Sequence, residues 1–341
     1  MNILPKYSIN NQKKFIVLLW ISLAILIIVS ILSILIGSVK IEFSELITIL
    51  INPNQKSPHA NIILNVRIPR MIGALLAGSA LSVSGSLLQS VMNNSLASPS
   101  IIGVNSGAAF FAVLIFACFP YQYELIPIAA FLGAFLTTML VYLIALKTGA
   151  SRISIILAGV ALSNIISAGI DFFTLILPDQ LLGTTSFMIG GLAGLTLNKL
   201  YAPMLYIFTG LALSLLFAPS LNILNLGDEL AGAVGMNVKK YRFIFIAIAA
   251  LLAGSAVSFT GLLGFVGLLV PHITRMIIGT DSRHLIPLSA IFGSIFVVFC
   301  DTLVRVIFAP YEIPVGIMMS FLGGPFFIWL LINQRRGRLN V

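Results

Sequence analysis

The sequence predicts an all-α, polytopic membrane protein of about ten spans, each needing about 20 apolar residues to cross the hydrocarbon. Apolar residues make up 59% of the 341-residue chain and charged residues only 9%, where an ordinary soluble domain has about half and a quarter. Mean hydropathy is +1.10. The apolar runs are also continuous, whereas the strands of an outer-membrane barrel alternate polar and apolar positions. These observations exclude a soluble fold and disfavour a barrel, leaving a bundle of membrane helices.

The first span runs from Phe15 to Gly37, behind Lys6, Lys13 and Lys14. It is longer than a signal-peptide core and no A-x-A-like cleavage site follows, so it is expected to stay, with the N-terminus in the cytoplasm. The polar stretch from Lys40 to Arg70 should lie outside and includes a surface helix at 44–51. Met71 to Tyr123 carries no Asp, Glu, Lys or Arg, yet as a single helix it would measure about 80 Å, so it must break. The turn chemistry of Asn93-Asn94-Ser95-Leu96-Ala97-Ser98-Pro99 places that break between a second span at 70–92 and a short third one at 103–119.

The fourth span, 125–146, ends in the basic loop Lys147 to Arg152, and the fifth fills 153–177 up to Pro178-Asp179. Gly183, Gly190, Gly191 and Gly194 interrupt the next segment, which reads as a short re-entrant or surface helix. A sixth span is expected at 200–222. Residues 225–242 then concentrate Asp228, Glu229, Lys239, Lys240 and Arg242, marking a solvated cytoplasmic segment within a single membrane domain over 1–341. Phe243 to Thr274 is again too long for one span, and Gly261, Gly264 and Gly267 are the expected turn between the seventh and eighth. The ninth span falls at 285–308 and the tenth at 314–332, ahead of a tail with Arg335, Arg336 and Arg338.

The net charge of +9 would suggest nucleic acid in a soluble protein. Here it reflects the accumulation of basic residues in cytoplasmic loops, and no nucleic-acid partner is expected. With ten spans and a cytoplasmic N-terminus, about two-thirds of the 19 Lys and Arg residues fall on the cytoplasmic side. One early span more or fewer would invert that balance, so both termini are placed in the cytoplasm. Cys118 and Cys300 lie far apart in apolar runs and have neither metal-ligand nor disulfide-framework spacing.

Association of membrane helices relies on close contact of small residues and on a few polar bonds. Ala74, Gly78, Ser82, Ser86 and Ser90 recur every four residues and form such a surface, or else face a polar pathway. Gly159, Ser163, Ser167 and Asp171 repeat the pattern on the fifth span, with Asn164 beside them. A carboxylate within a span normally faces protein, water or a partner charge, so this face is a candidate pathway lining. Asp301 and Arg305 stand four apart, the spacing of an ion pair on one helix face. Arg67, Arg70 and Arg305 are external arginines whose planar forks suit carboxylate recognition, though headgroup anchoring would also explain them.

His59, His272 and His284 form no H-E-x-x-H spacing, and no Gly is followed by Lys, so the ATP-binding P-loop is missing. No sequence signature nominates a catalytic triad. Uphill transport would therefore draw on an ion gradient or on another subunit, for which 225–242 is the natural docking surface.

Several blocks, in order, resemble the membrane permeases of ATP-binding-cassette (ABC) importers for iron complexes and cobalamin. Val66-Arg67-Ile68-Pro69-Arg70 looks like the family's L-R-x-P-R element. Gly85-Ser86-Leu87-Leu88-Gln89, Asn94-Ser95-Leu96-Ala97-Ser98-Pro99 and Gly103-Val104-Asn105-Ser106-Gly107-Ala108 are similar to its G-x-x-x-Q, N-P-L-A-x-P and G-x-x-x-G-A run, with Ser95 in place of Pro. Leu157-Ala158-Gly159-Val160-Ala161-Leu162 matches L-A-G-x-A-L. Gly264-Phe265-Val266-Gly267-Leu268 with Pro271-His272 and Arg275 resembles G-F-x-G-L-x-x-P-H-x-x-R. Asp301, Arg305, Glu312-Ile313-Pro314-Val315-Gly316 and Gly323-Gly324-Pro325-Phe326-Phe327 complete the set.

The resemblance implies the type II importer architecture: ten helices per chain and two permeases paired on an axial pathway. It also implies two ATPase subunits, which bind the ATP and Mg, and an extracellular or periplasmic substrate-binding protein. By position it assigns Arg67, Arg70 and Arg305 to docking of that binding protein. Gly227, Asp228, Glu229, Ala231 and Gly235 fall to ATPase coupling, Gly159, Ser163, Asn164, Ser167 and Asp171 to the pathway, and the loop with Thr148 and Ser151 to its gate. The implied cargo is an iron(III)-siderophore, or haem or cobalamin. No cofactor or metal is expected in this chain and no covalent chemistry. The alternative is an ion-coupled secondary transporter in which Asp171 is the ion site.

Overall fold

The computed structural model describes residues 7–37, 39, 41–52, 57–119, 121–149, 151–178 and 183–338. Lys6, Lys40 and Asp179 lie outside the described residues, as do the side chains of Arg335, Arg336 and Arg338. The chain is helical throughout its regular structure. In order come α1 (Tyr7–Leu35), α2 (Phe43–Ile51), α3 (Pro58–Ile62), a π-helical turn (Ile63–Arg67), α4 (Ile68–Met92), α5 (Val104–Cys118), α6 (Ile126–Lys147) and α7 (Arg152–Ile176). Then follow α8 (Thr184–Ile189), α9 (Leu197–Leu216), α10 (Ala218–Leu224), α11 (Asp228–Ala233), α12 (Val238–Thr260), α13 (Val266–Ile278), α14 (Ser282–Ile307) and α15 (Val315–Arg338).

Among the described residues, seven helical stretches are long and apolar enough to cross a membrane, and α5, α13 and the apolar part of α15 are shorter apolar helices. Together they occupy the places of the ten expected spans. The most enclosed are α4 and α12, and the least are α1 and α7.

The reason α4 sits at the centre is its small-residue composition. Gly78 meets Gly293 of α14 and Gly85 meets Gly267 of α13 so closely that a Cβ on either α4 glycine would collide with the opposing carbonyl. Hydroxyls add polar bonds at these approaches: Ser84 Oγ donates to the Ala249 carbonyl at 2.7 Å, Ser86 Oγ to Ser289 Oγ at 3.0 Å, and Ser294 Oγ to the Leu75 carbonyl at 2.7 Å. The stripe Ala74, Gly78, Ser82, Ser86 and Ser90 is buried along its whole length. Of its two readings, the helix contact surface is the one observed.

Two expectations are corrected. The sixth span is two helices, because Pro219 lacks an N–H and lies in the first turn of α10, ending α9 before it. Gly267 belongs to α13 and not to the turn; it lies close against the Leu81 carbonyl of α4, so it is small for contact rather than for bending. The turn itself is made by Gly261 at φ +70° and by Phe265 at φ +64°. The glycine-rich segment at 183–194, expected as a re-entrant or surface helix, is a short helix and turn whose backbone is bonded to the neighbouring segments. Leu262 N–H donates to the Phe187 carbonyl at 2.9 Å, Gly191 N–H to the Thr260 carbonyl at 2.7 Å and Gly316 N–H to the Gly190 carbonyl at 3.1 Å, and Leu192 within the segment and Leu195 just after it are buried.

Candidate pathway, docking and coupling sites

The bundle has two ends, each organised around one aspartate. At one end Asp301, in the last turns of α14, is only 1% exposed. Arg70 Nε donates to its Oδ1 at 2.9 Å and Oδ2 at 3.1 Å, and Arg305 Nε pairs with Oδ2 at 3.1 Å. Arg305 Nη2 also donates to Ser33 Oγ at 2.7 Å. Arg67 turns its guanidinium onto the carbonyls of Ile34, Leu35 and Val39 at the C-terminal end of α1, the end where helix carbonyls lack partners and favour positive charge. Arg67, Arg70 and Arg305 are thus gathered at one end as the sequence placed them. Their donors, however, point largely at acceptors within the chain, stapling α1 to α4 and α14. Exposed Glu312 stands 4.0 Å from Arg70 Nη1.

At the opposite end lies Asp228, the first residue of α11, 45% exposed. Arg242 of α12, only 2% exposed, donates from Nη2 to Oδ1 at 2.7 Å and Oδ2 at 2.8 Å. Arg152, the first residue of α7, donates from Nη2 to Oδ1 at 3.0 Å. Burial alone would raise the Asp228 carboxyl, but the bonds and charge of Arg242, and then of Arg152, outweigh it and hold the group below its ordinary value. A cleft of about 510 Å³ lies between residues 151–153 and 226–230.

Beside that cleft Ser151 caps α7, accepting from Ser154 N–H at 3.0 Å, and Ser154 Oγ reaches the Thr148 carbonyl at 3.4 Å. The loop holding Thr148 and Ser151 is therefore a local hydrogen-bonded knot. Gly227 at φ +105° and Gly235 at φ +84° bound α11 where a side chain would strain the backbone. Ala231 is buried under α11, while Glu229 is exposed. Also exposed are Leu226 just before α11, Leu230 within it and Val234 at its end, spaced by four in the sequence. The sequence reading missed this apolar face; its four-residue spacing was the available signal.

Between the ends, a crevice of about 380 Å³ opens between α5 and α7. Ser106, Asn105, Ser163, Ser167 and Asp171 line it, together with Ser100 ahead of α5. Ser106 Oγ and Ser163 Oγ lie 3.0 Å apart. Asp171 is exposed, with no ion-pair partner among the described residues. Asn164 is exposed on the same helix but lies outside that lining. Gly159 lies outside that lining, buried against the Ile101 carbonyl, and serves contact between α7 and the turn at 99–102. Among the described residues no three His, Cys, Asp or Glu side chains group as a metal site. His59 pairs with Glu45 at 2.6 Å, and His284 lies against Phe15 with ring centroids 4.5 Å apart.

The profile of the FecCD transport family matches residues 25–333. The chain belongs to that family. As a FecCD protein it is a non-catalytic permease component of an ABC importer, not an enzyme. It is 36% identical over 334 residues to the Fe(3+)-citrate import system permease protein of Bacillus subtilis (strain 168), covering 97% of this chain and 99% of that one. It is 34% identical over 325 residues to the hemin transport system permease protein of Yersinia pestis, covering 93% and 95%. A solved structure described as a metal-chelate type ABC transporter in an inward-facing conformation superposes with a TM-score of 0.82 at 27% identity, over 93% of this chain and 99% of that one. The FecCD fold so matched is all-α and polytopic, in agreement with the architecture read from the sequence.

Proposed function

We propose that this permease carries an iron(III)-siderophore, with haem or the cobalt-containing cobalamin as near alternatives, across the cytoplasmic membrane. Both termini and the Asp228 end face the cytoplasm. The relatives named above carry Fe(3+)-citrate and hemin in their descriptions, which supports an iron-complex cargo. A second copy, or a homologous permease, covers α7, whose Leu157, Ile165, Phe172 and Leu175 are exposed in the single chain. The crevice with Ser163, Ser167 and Asp171 then faces the shared axis. Its outer end receives the substrate-binding protein through the positive field of Arg67, Arg70 and Arg305.

The single observation that carries the ATPase-driven reading is the exposed Leu226, Leu230 and Val234 face beside Asp228 and Glu229. An apolar face set among charges at a solvated end fits a protein partner better than lipid. Two ATP-binding-cassette subunits, one per permease, hold the ATP and Mg. No particular observation favours ion coupling at Asp171.

Leu230→Asp tests this: the side chain is exposed, so the fold should persist, while co-purification of the ATPase should weaken by about 30-fold, the cost of an interface hot spot. Undiminished ATPase capture would remove the coupling role from α11. For docking, Arg67→Gln keeps a donor for the α1 carbonyls but loses the charge, and should slow binding-protein association most at low salt. An unchanged rate at low salt would leave Arg67 as a staple alone.

A further inference from the structure

Four features meet at the Asp228 end: α11 with its exposed apolar face, the start of α12, the start of α7, and the hydrogen-bonded loop holding Thr148 and Ser151. One carboxylate joins three of them. Its two arginines hold it unequally. Arg242 is nearly enclosed and contacts both carboxylate oxygens, at 2.7 and 2.8 Å. Arg152 is 24% exposed and holds a single oxygen, at 3.0 Å. A displacement of α11 would therefore part Asp228 from Arg152 before it parts Asp228 from Arg242. The open cleft beside Arg152 leaves room for such a movement.

We infer that the Asp228–Arg152 ion pair is a releasable latch: Asp228 is a positioning residue that ties the ATPase-facing α11 to the first turn of the pathway helix α7. Arg242 keeps α11 seated on α12 in both positions of the latch. Movement imposed on α11 reaches α7 through one bond, whose release frees the first turn of α7 and its cap Ser151. The inference rests on the permease reading given above.

The test uses the whole assembly, permease with its ATPase and binding protein, in proteoliposomes, measuring iron-complex uptake and ATP hydrolysis together per assembled complex. Arg152→Gln cuts the latch and leaves the Arg242 contact in place. Uptake per ATP should fall about fivefold or more, the lower range of coupling between sites, with hydrolysis retained. Asp228→Asn should lower the same ratio, and Asp228→Glu, which restores a carboxylate, should recover it. In the double variant the Arg152→Gln loss should be contained within that of Asp228→Asn, since the aspartate change removes the Arg152 bond along with the Arg242 contacts.

An unchanged ratio in Arg152→Gln, or uptake and hydrolysis falling in parallel, would overturn the latch. Should Arg152→Gln fail to assemble, the Asp228→Asn and Asp228→Glu pair decides by the same ratio. Failure of the permease reading would look different: the wild-type assembly itself would show no ATP-dependent uptake.

Discussion

Asp301 and Asp228 are each held between two arginines at opposite ends of one bundle, and burial makes them into different devices. Asp301 is 1% exposed, Arg70 is buried with it and Arg305 is only 12% exposed, so the carboxylate has little water to fall back on. Removing one member of such a group leaves an uncompensated charge. Asp228 is 45% exposed and only Arg242 is enclosed. An exposed ion pair contributes little and can break at little cost. The same pair of residue types is thus a fixed staple where it is dry and a movable contact where it is wet. This matches the division of labour proposed for the two ends: a rigid outer face to receive a protein, and a cytoplasmic face that is pushed.

The largest effect should follow Asp301→Ala, which strands Arg70 and Arg305. A loss of about 3–5 kcal/mol is expected, read as a lower melting temperature and less folded protein in detergent. Melting indistinguishable from wild type would erase the distinction between the two ends.

Next in size is Gly85→Ala. The comparison needs a stiff connection through α4, and a Cβ there would collide with the Gly267 carbonyl of α13. A cost of about 1–3 kcal/mol follows from overfilling a close contact, again measured by thermal melting. A variant as stable as wild type would show that α4 and α13 separate freely.

The smallest effect on stability belongs to Asp228→Asn, about 1–2 kcal/mol once its exposure is discounted. Its pH dependence sharpens the comparison. The folded carboxyl titrates below its ordinary value of 3.8, so its contribution is present above that value and disappears as pH falls through the lower, folded one. The melting difference between wild type and Asp228→Asn should hold from neutral pH to about 4 and vanish in stronger acid. A difference that already vanishes near neutrality would contradict the paired, ionised state.

Much of the architecture was legible in the sequence because charge-free intervals and the glycine, proline and asparagine turns mark where membrane helices begin and end. The pairing of Asp301 with Arg305 was legible for the same local reason, a spacing of four. Arg70 was not, since it is 231 residues away from Asp301, and Arg152 is 76 from Asp228. Only the tertiary fold brings those groups together. Arg67, Arg70 and Arg305 were expected on one side and lie together at one end of α4 and α14, yet nothing in their spacing reveals that they turn inward. Gly267 shows a further limit: glycine for a turn and glycine for a close helix approach read alike. The α9–α10 break was signalled by Pro219, but the apolar residues around it masked the signal.

The most direct measurement is cargo accumulation by the purified chain in sealed vesicles, first alone under imposed proton or sodium gradients, then with ATPase, ATP and loaded binding protein. The passive-conduit account predicts no uphill transfer in the first condition and accumulation in the second. Uphill transfer by the chain alone, under any ion gradient, would contradict it.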